Sequence, residues 1–123
     1  MTGTLNTPTL NVSGNSTTTG STSTGSLTIG GGTPITNHIS LVFQNVTFNT
    51  KVKPTSCMVQ SFTIASAADG DTVAVGMGSS LMTGDVVYSA WAVDGGVQVR
   101  FCNPTGKPTD LGAGNIRIDV WKH

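Results

Sequence analysis

The side chains able to do chemistry in this chain are few: two cysteines, two histidines, two tryptophans and six aspartates, with no glutamate. Cleaving a glycan takes two carboxyl groups facing one groove. Asp69, Asp71, Asp85, Asp94, Asp110 and Asp119 are scattered, and four of them border glycine or turn positions. Serine is plentiful, but Gly-x-Ser-x-Gly is absent and neither His38 nor His123 stands in a catalytic context. The expectation is a protein that is not an enzyme. Asp69-Gly-Asp71 is half of a calcium loop at most, with no further acid to complete it, and reads as a turn. Gly30-Gly-Gly32 and Gly76-Met-Gly78 lack the Lys-Ser/Thr ending of a phosphate-binding loop and read as backbone punctuation. Three copies of His38 about an axis would make a metal site, but one histidine alone reads as packed or solvated. No cofactor and no metal are expected.

Cys57 and Cys102 each lie inside a strand-like run and lack CxxC spacing, so zinc is not indicated. A disulfide between facing strands is open to them. A chain made and assembled in bacterial cytoplasm would keep them as reduced, buried thiols instead. Trp91 shares a strand face with Val87 and Val93 and reads as core or subunit interface. Trp121, opposite in phase to Ile116, Ile118 and Val120, is the better candidate for a surface platform that stacks on sugar.

Two stretches of different composition must position these residues. Residues 1–33 are almost wholly Thr, Ser, Gly and Asn, with Gly14, Gly20, Gly25 and Gly30 near-evenly spaced between short β-prone segments. Threonine is β-branched and stiff, which favours a β-structured stem over a flexible linker. One chain has too few apolar residues there to bury a core, whereas three chains wound together could line an axis with threonine methyls. Residues 36–123 read as strands. Met58, Phe62 and Ile64 alternate against Val59, Ser61 and Thr63. Asp94-Gly95-Gly96 between two apolar runs predicts a tight hairpin. Ile116, Ile118 and Val120 share one face of a last strand. No helical periodicity appears. Five to seven strands with Gly, Pro and Asp turns predict an all-β fold, a small antiparallel β-sandwich of jelly-roll-like form.

Charged residues are 10% of the chain, against roughly a quarter in average domains, and the formal net charge is zero. Nucleic acid, which needs a dense basic surface, is not an expected partner. No apolar run is long enough for membrane insertion as a helix, and the first residues, Met1-Thr-Gly-Thr-Leu-Asn6, lack the regions of a signal peptide. The glycosylation sequons at Asn11, Asn15 and Asn45 are discounted on that ground.

Four segments in order carry a resemblance: Ala68-Asp-Gly-Asp-Thr-Val-Ala-Val-Gly76, Val86-Val-Tyr-Ser-Ala-Trp-Ala-Val93, Val97-Gln-Val-Arg-Phe-Cys-Asn-Pro-Thr105 and Gly114-Asn-Ile-Arg-Ile-Asp-Val120. They resemble the small C-terminal β domain of phage tail-fibre and tailspike-like proteins, and residues 1–35 are similar to the glycine-punctuated shafts that precede it. The resemblance implies a homotrimer, with stem 1–35 and knob 36–123, that forms the distal end of a virion fibre assembled in the host cytoplasm. The long polar loops Gly76–Gly84 and Asn103–Gly114 are then expected to touch a host-surface glycan or protein, with Met77, Ser79, Asn103 and Lys107 as receptor-contact residues. Each contact would recur three times and gain avidity. The alternatives are a trimerisation or maturation tail of an upstream enzyme, such as a polysaccharide depolymerase, and a capsid-surface fibre.

Overall fold

The computed structural model describes residues 12–123, so the sequon at Asn11 and the first part of the expected stem lie outside the described residues. The described chain has six strands and no helix: β1 (Asn37–Val46), β2 (Ser56–Thr63), β3 (Thr72–Met77), β4 (Val87–Val93), β5 (Gly96–Asn103) and β6 (Gly114–Lys122). They form two three-stranded antiparallel sheets, ordered β1-β6-β3 and β2-β5-β4. The expected all-β architecture is therefore present, and its alternation sets the core. Val97, Val99 and Phe101 of β5 and Ile116, Ile118 and Val120 of β6 are all fully buried between the sheets. Phe43 and Phe62 meet across them with ring centroids 4.8 Å apart, and Phe48 meets Phe101 edge-on at 5.2 Å.

Met58 and Phe62 face inward with Val59, Ser61 and Thr63 outward, as the alternation predicts. Gly95 has φ 79°, which a side-chain-bearing residue would resist, and it closes the predicted β4–β5 hairpin. The Asp69–Asp71 segment is the expected turn: Gly70 sits at φ 87°, and the Asp71 amide donates to the Ala68 carbonyl at 3.1 Å. Asn45, at φ 52°, marks a bulge in β1 between Phe43 and Val46.

The registers fix which loops share an end. At one end the Thr36 amide donates to the Lys122 carbonyl, Thr72 pairs with Trp121, and the Gly95 amide donates to Ala67. At the other, β3 leaves at Met77, β5 leaves at Asn103 and β6 begins at Gly114. β6 alone separates the two ends by roughly 25–30 Å. Residues 12–36 thus join the sandwich at the near end, and loops 47–55, 78–86 and 104–113 stand at the far end.

One segment gains detail and one expectation changes. Leu27 and Ile35 exchange backbone hydrogen bonds of 2.9 and 2.8 Å around Gly30 and Gly31, both at positive φ, so the chain reverses there. The end of the expected stem thus holds a small hairpin. Cys57 and Cys102 are the expectation that changes. They face each other across β2 and β5 with Cα atoms 4.0 Å apart and form a disulfide, on the outer side of the sheet with Cys57 exposed. Compartment chemistry favoured buried thiols, but strand register decides the pairing, and β2–β5 register is invisible to local sequence.

Candidate binding surface

The far end is one packed surface rather than three separate loops. Its fixed point is Asn103, 1% exposed. The Asn103 amide nitrogen donates to the carbonyls of Val52 at 3.0 Å and Lys107 at 2.7 Å. Its carbonyl oxygen accepts from the Thr105 amide at 2.9 Å and the Thr105 hydroxyl at 2.7 Å. Both loops around it are therefore pinned by one side chain. Val52 and Thr109 then pair through two backbone bonds of 2.8 and 3.0 Å. The 78–86 loop joins them: the Gly112 amide donates to Leu81 at 3.1 Å, and the Thr83 hydroxyl donates to the Asp110 carbonyl at 2.9 Å. Gly112 lies so close to the Ser80 carbonyl that any Cβ would collide with backbone, which is why glycine stands there.

The four expected contact residues divide accordingly. Ser79 and Lys107 are exposed on the far end. Asn103 is not a surface residue, because its amide is consumed in holding the loops. Met77 belongs to β3, pairs with Ile116 and packs half-buried against the core, since the strand runs past the point where the loop was expected to begin. Sequence reading missed Lys51 and Lys53. They flank Val52, 1% exposed, so the alternation of an extended segment turns both lysines outward together. Together with Thr50, Val52, Ser56, Cys57 and Met58 they line an open cavity of about 320 Å³. Lys51 pairs with Asp110 at 3.1 Å, both side chains mostly exposed, and Lys53 has no ion pair among the described residues. Their Lys-Val-Lys spacing was the available signal.

At the near end the outer face of β1-β6-β3 carries a second cluster. His38 stacks on Trp121 with centroids 4.8 Å apart and planes 12° from parallel, and its Nε2 lies 3.1 Å from Asp119 Oδ1. Thr24, Ser26, Leu27, Ile35 and these two rings border a cavity of about 280 Å³. Trp121 is on the outer face as its phase predicts. Trp91 is not core: it lies half-buried on the outer face of β4 with the Arg100 guanidinium 4.9 Å over its ring. Ser40 stands opposite Asp119 in the β1–β6 register, and its hydroxyl accepts from Arg117 Nη1 at 3.1 Å, while His38 Nε2 lies on the Asp119 carboxylate. Among the described residues no group of three or more metal-ligating side chains gathers.

Two carboxylates titrate below their ordinary value of 3.8. A hydrogen bond from Lys122 at 2.7 Å lowers Asp71, with the Ala68 amide adding to it. Ser40 lowers Asp119, with His38 adding to it against the opposing effect of burial. A folded-state value below the unfolded one means a contribution that is present above 3.8 and lost as pH falls through the lower folded value. The urea midpoint is expected to hold from pH 7 to about 5 and to decline below about 4. Asp71→Asn should flatten part of that decline, and an unchanged profile in this variant would exclude the Lys122 contact as a cause.

Comparison of the chain with protein-family models, with curated proteins and with solved structures finds no match.

Proposed function

We propose that this chain is a non-catalytic virion structural protein, the distal end of a homotrimeric phage tail fibre or tailspike that contributes to host receptor binding. The observation that carries the reading is polarity: the Thr/Ser/Gly segment joins the sandwich at one end, and the long loops are packed into one surface at the other. A knob at the tip of a shaft needs that separation of attachment from contact. The strand order supports the jelly-roll-like form. β1 pairs with β6 and β2 with β5, as in one long hairpin rolled across two sheets, with six strands where a full jelly roll has eight.

Charge placement supports the trimer. β1, β2, β3 and β4 are the sheet edges, and none carries Lys, Arg, Asp or Glu, whereas Arg100, Arg117, Asp119 and Lys122 are on the central strands. Soluble monomers put charge on edges to stop strands pairing between molecules. Edges without charge suit a chain whose edges are covered by its own copies. Exposed Val59 and Val87 on the outer face of β2-β5-β4 fit the same reading. The disulfide supports a working place outside the reducing cytoplasm, as on a virion surface.

Adsorption to host cells tests the contact surface. Ser79→Ala combined with Lys107→Ala is expected to lower adsorption severalfold while leaving the unfolding midpoint unchanged. Full adsorption by the double variant would remove these loops from the receptor contact.

A further inference from the structure

The far-end cavity has a charge character that the near-end one lacks. Lys51 and Lys53 both line it, the hydroxyl-bearing Thr50 and Ser56 stand beside them, and no acid is among its lining residues. The near-end cavity has no lysine or arginine. Two ammonium groups beside hydroxyls suit a ligand with a fixed negative charge and sugar hydroxyls. The site is also held in shape. Val52, between the lysines, is buried, bonded to Thr109 through both backbone groups, and fixed at its carbonyl by Asn103.

We propose that the cavity formed by residues 50–53 and 56–58 binds the anionic group, carboxylate or phosphate, of a surface saccharide. The proposal rests on the receptor-binding reading and gives that contact its chemistry. Lys53 is the primary anion ligand. Lys51 is shared with Asp110, whose carboxylate competes with the incoming anion. Asp110 therefore weakens binding, and removing its charge should strengthen it. One such site binds weakly, and three on a shared axis would convert weak binding into firm attachment to a polymer that repeats the same group.

The test is amide chemical-shift titration of the full chain with three probes: a hyaluronan tetrasaccharide carrying glucuronate, glucose 6-phosphate, and neutral chitotetraose. The proposal expects shifts at residues 50–58 with one or both anionic probes and not with chitotetraose. Which anionic probe binds separates carboxylate from phosphate. Lys53→Gln should weaken the binding about tenfold. Asp110→Asn should tighten it roughly threefold, and a gain of affinity cannot come from misfolding. Equal binding of neutral and anionic probes, or weaker binding by Asp110→Asn, would overturn the proposal. Chitotetraose shifts confined to residues around Ser79 and Lys107 would overturn it while leaving the receptor reading in place. No shift with any probe would also overturn it, and the adsorption of the Ser79/Lys107 variant then judges the receptor reading separately.

Discussion

Breaking the Cys57–Cys102 disulfide is expected to lower the unfolding free energy by about 3–4 kcal/mol. The two residues are 45 apart in sequence, so the bond closes a long loop in the unfolded chain and removes much of its conformational freedom. It also clamps β2 to β5 beside Met58 and Phe101, where the inner face meets the core. For a domain of this size the loss corresponds to a fall in melting temperature of roughly 20 °C. Cys57→Ser with Cys102→Ser, or reduction followed by alkylation, should show it in thermal unfolding. The exposed position of Cys57 makes the bond accessible to a thiol reductant without prior unfolding. Alkylation of the unreduced, denatured chain checks the premise directly: no added mass is expected, and two added groups would mean free thiols.

Asn103→Ala comes next, with an expected cost of about 3 kcal/mol. Alanine leaves the Val52 and Lys107 carbonyls and the Thr105 amide without the partner that the asparagine supplies, and the first of these bonds is buried. Asn103→Asp should fare no better, because a carboxylate would face two carbonyl oxygens where an NH2 group stood. Urea unfolding measures the loss, and hydrogen exchange at residues 104–109 should quicken by more than exchange in β6. The same substitution would loosen Val52 and with it the lysine-lined cavity. A cost below about 1 kcal/mol would mean that water satisfies these groups and that the loops do not depend on Asn103.

What could be read from the residues was local. The Asp94-Gly95 hairpin, the Gly70 turn, the inward phase of Met58 and Phe62, and the outward phase of Trp121 all follow from alternation and glycine chemistry within a few residues. What could not be read depends on pairing across the chain. Cys57 meets Cys102 only because β2 and β5 run in one register, and His38 meets Asp119 and Trp121 only because β1 pairs with β6. Asn103 looked like the first residue of a polar loop, and its sequence carries no sign that the side chain turns inward to hold Val52, 51 residues away. Gly76 and Met77 open the expected Gly76–Gly84 loop, yet both pair in the ladder, opposite Arg117 and Ile116. The Leu27–Ile35 hairpin was hidden by the repetitive composition around it, although the Gly30-Gly31 pair at its turn is the kind of residue such a reversal needs.

The central claim is a trimer, and the solution mass of the intact chain tests it most directly. Light scattering at two protein concentrations, with the disulfide kept intact, should return three times 12.6 kDa at both. A mass of 12.6 kDa at both concentrations would contradict the account: the uncharged edges would then face solvent, and residues 12–36 would have no companion chains to wind with.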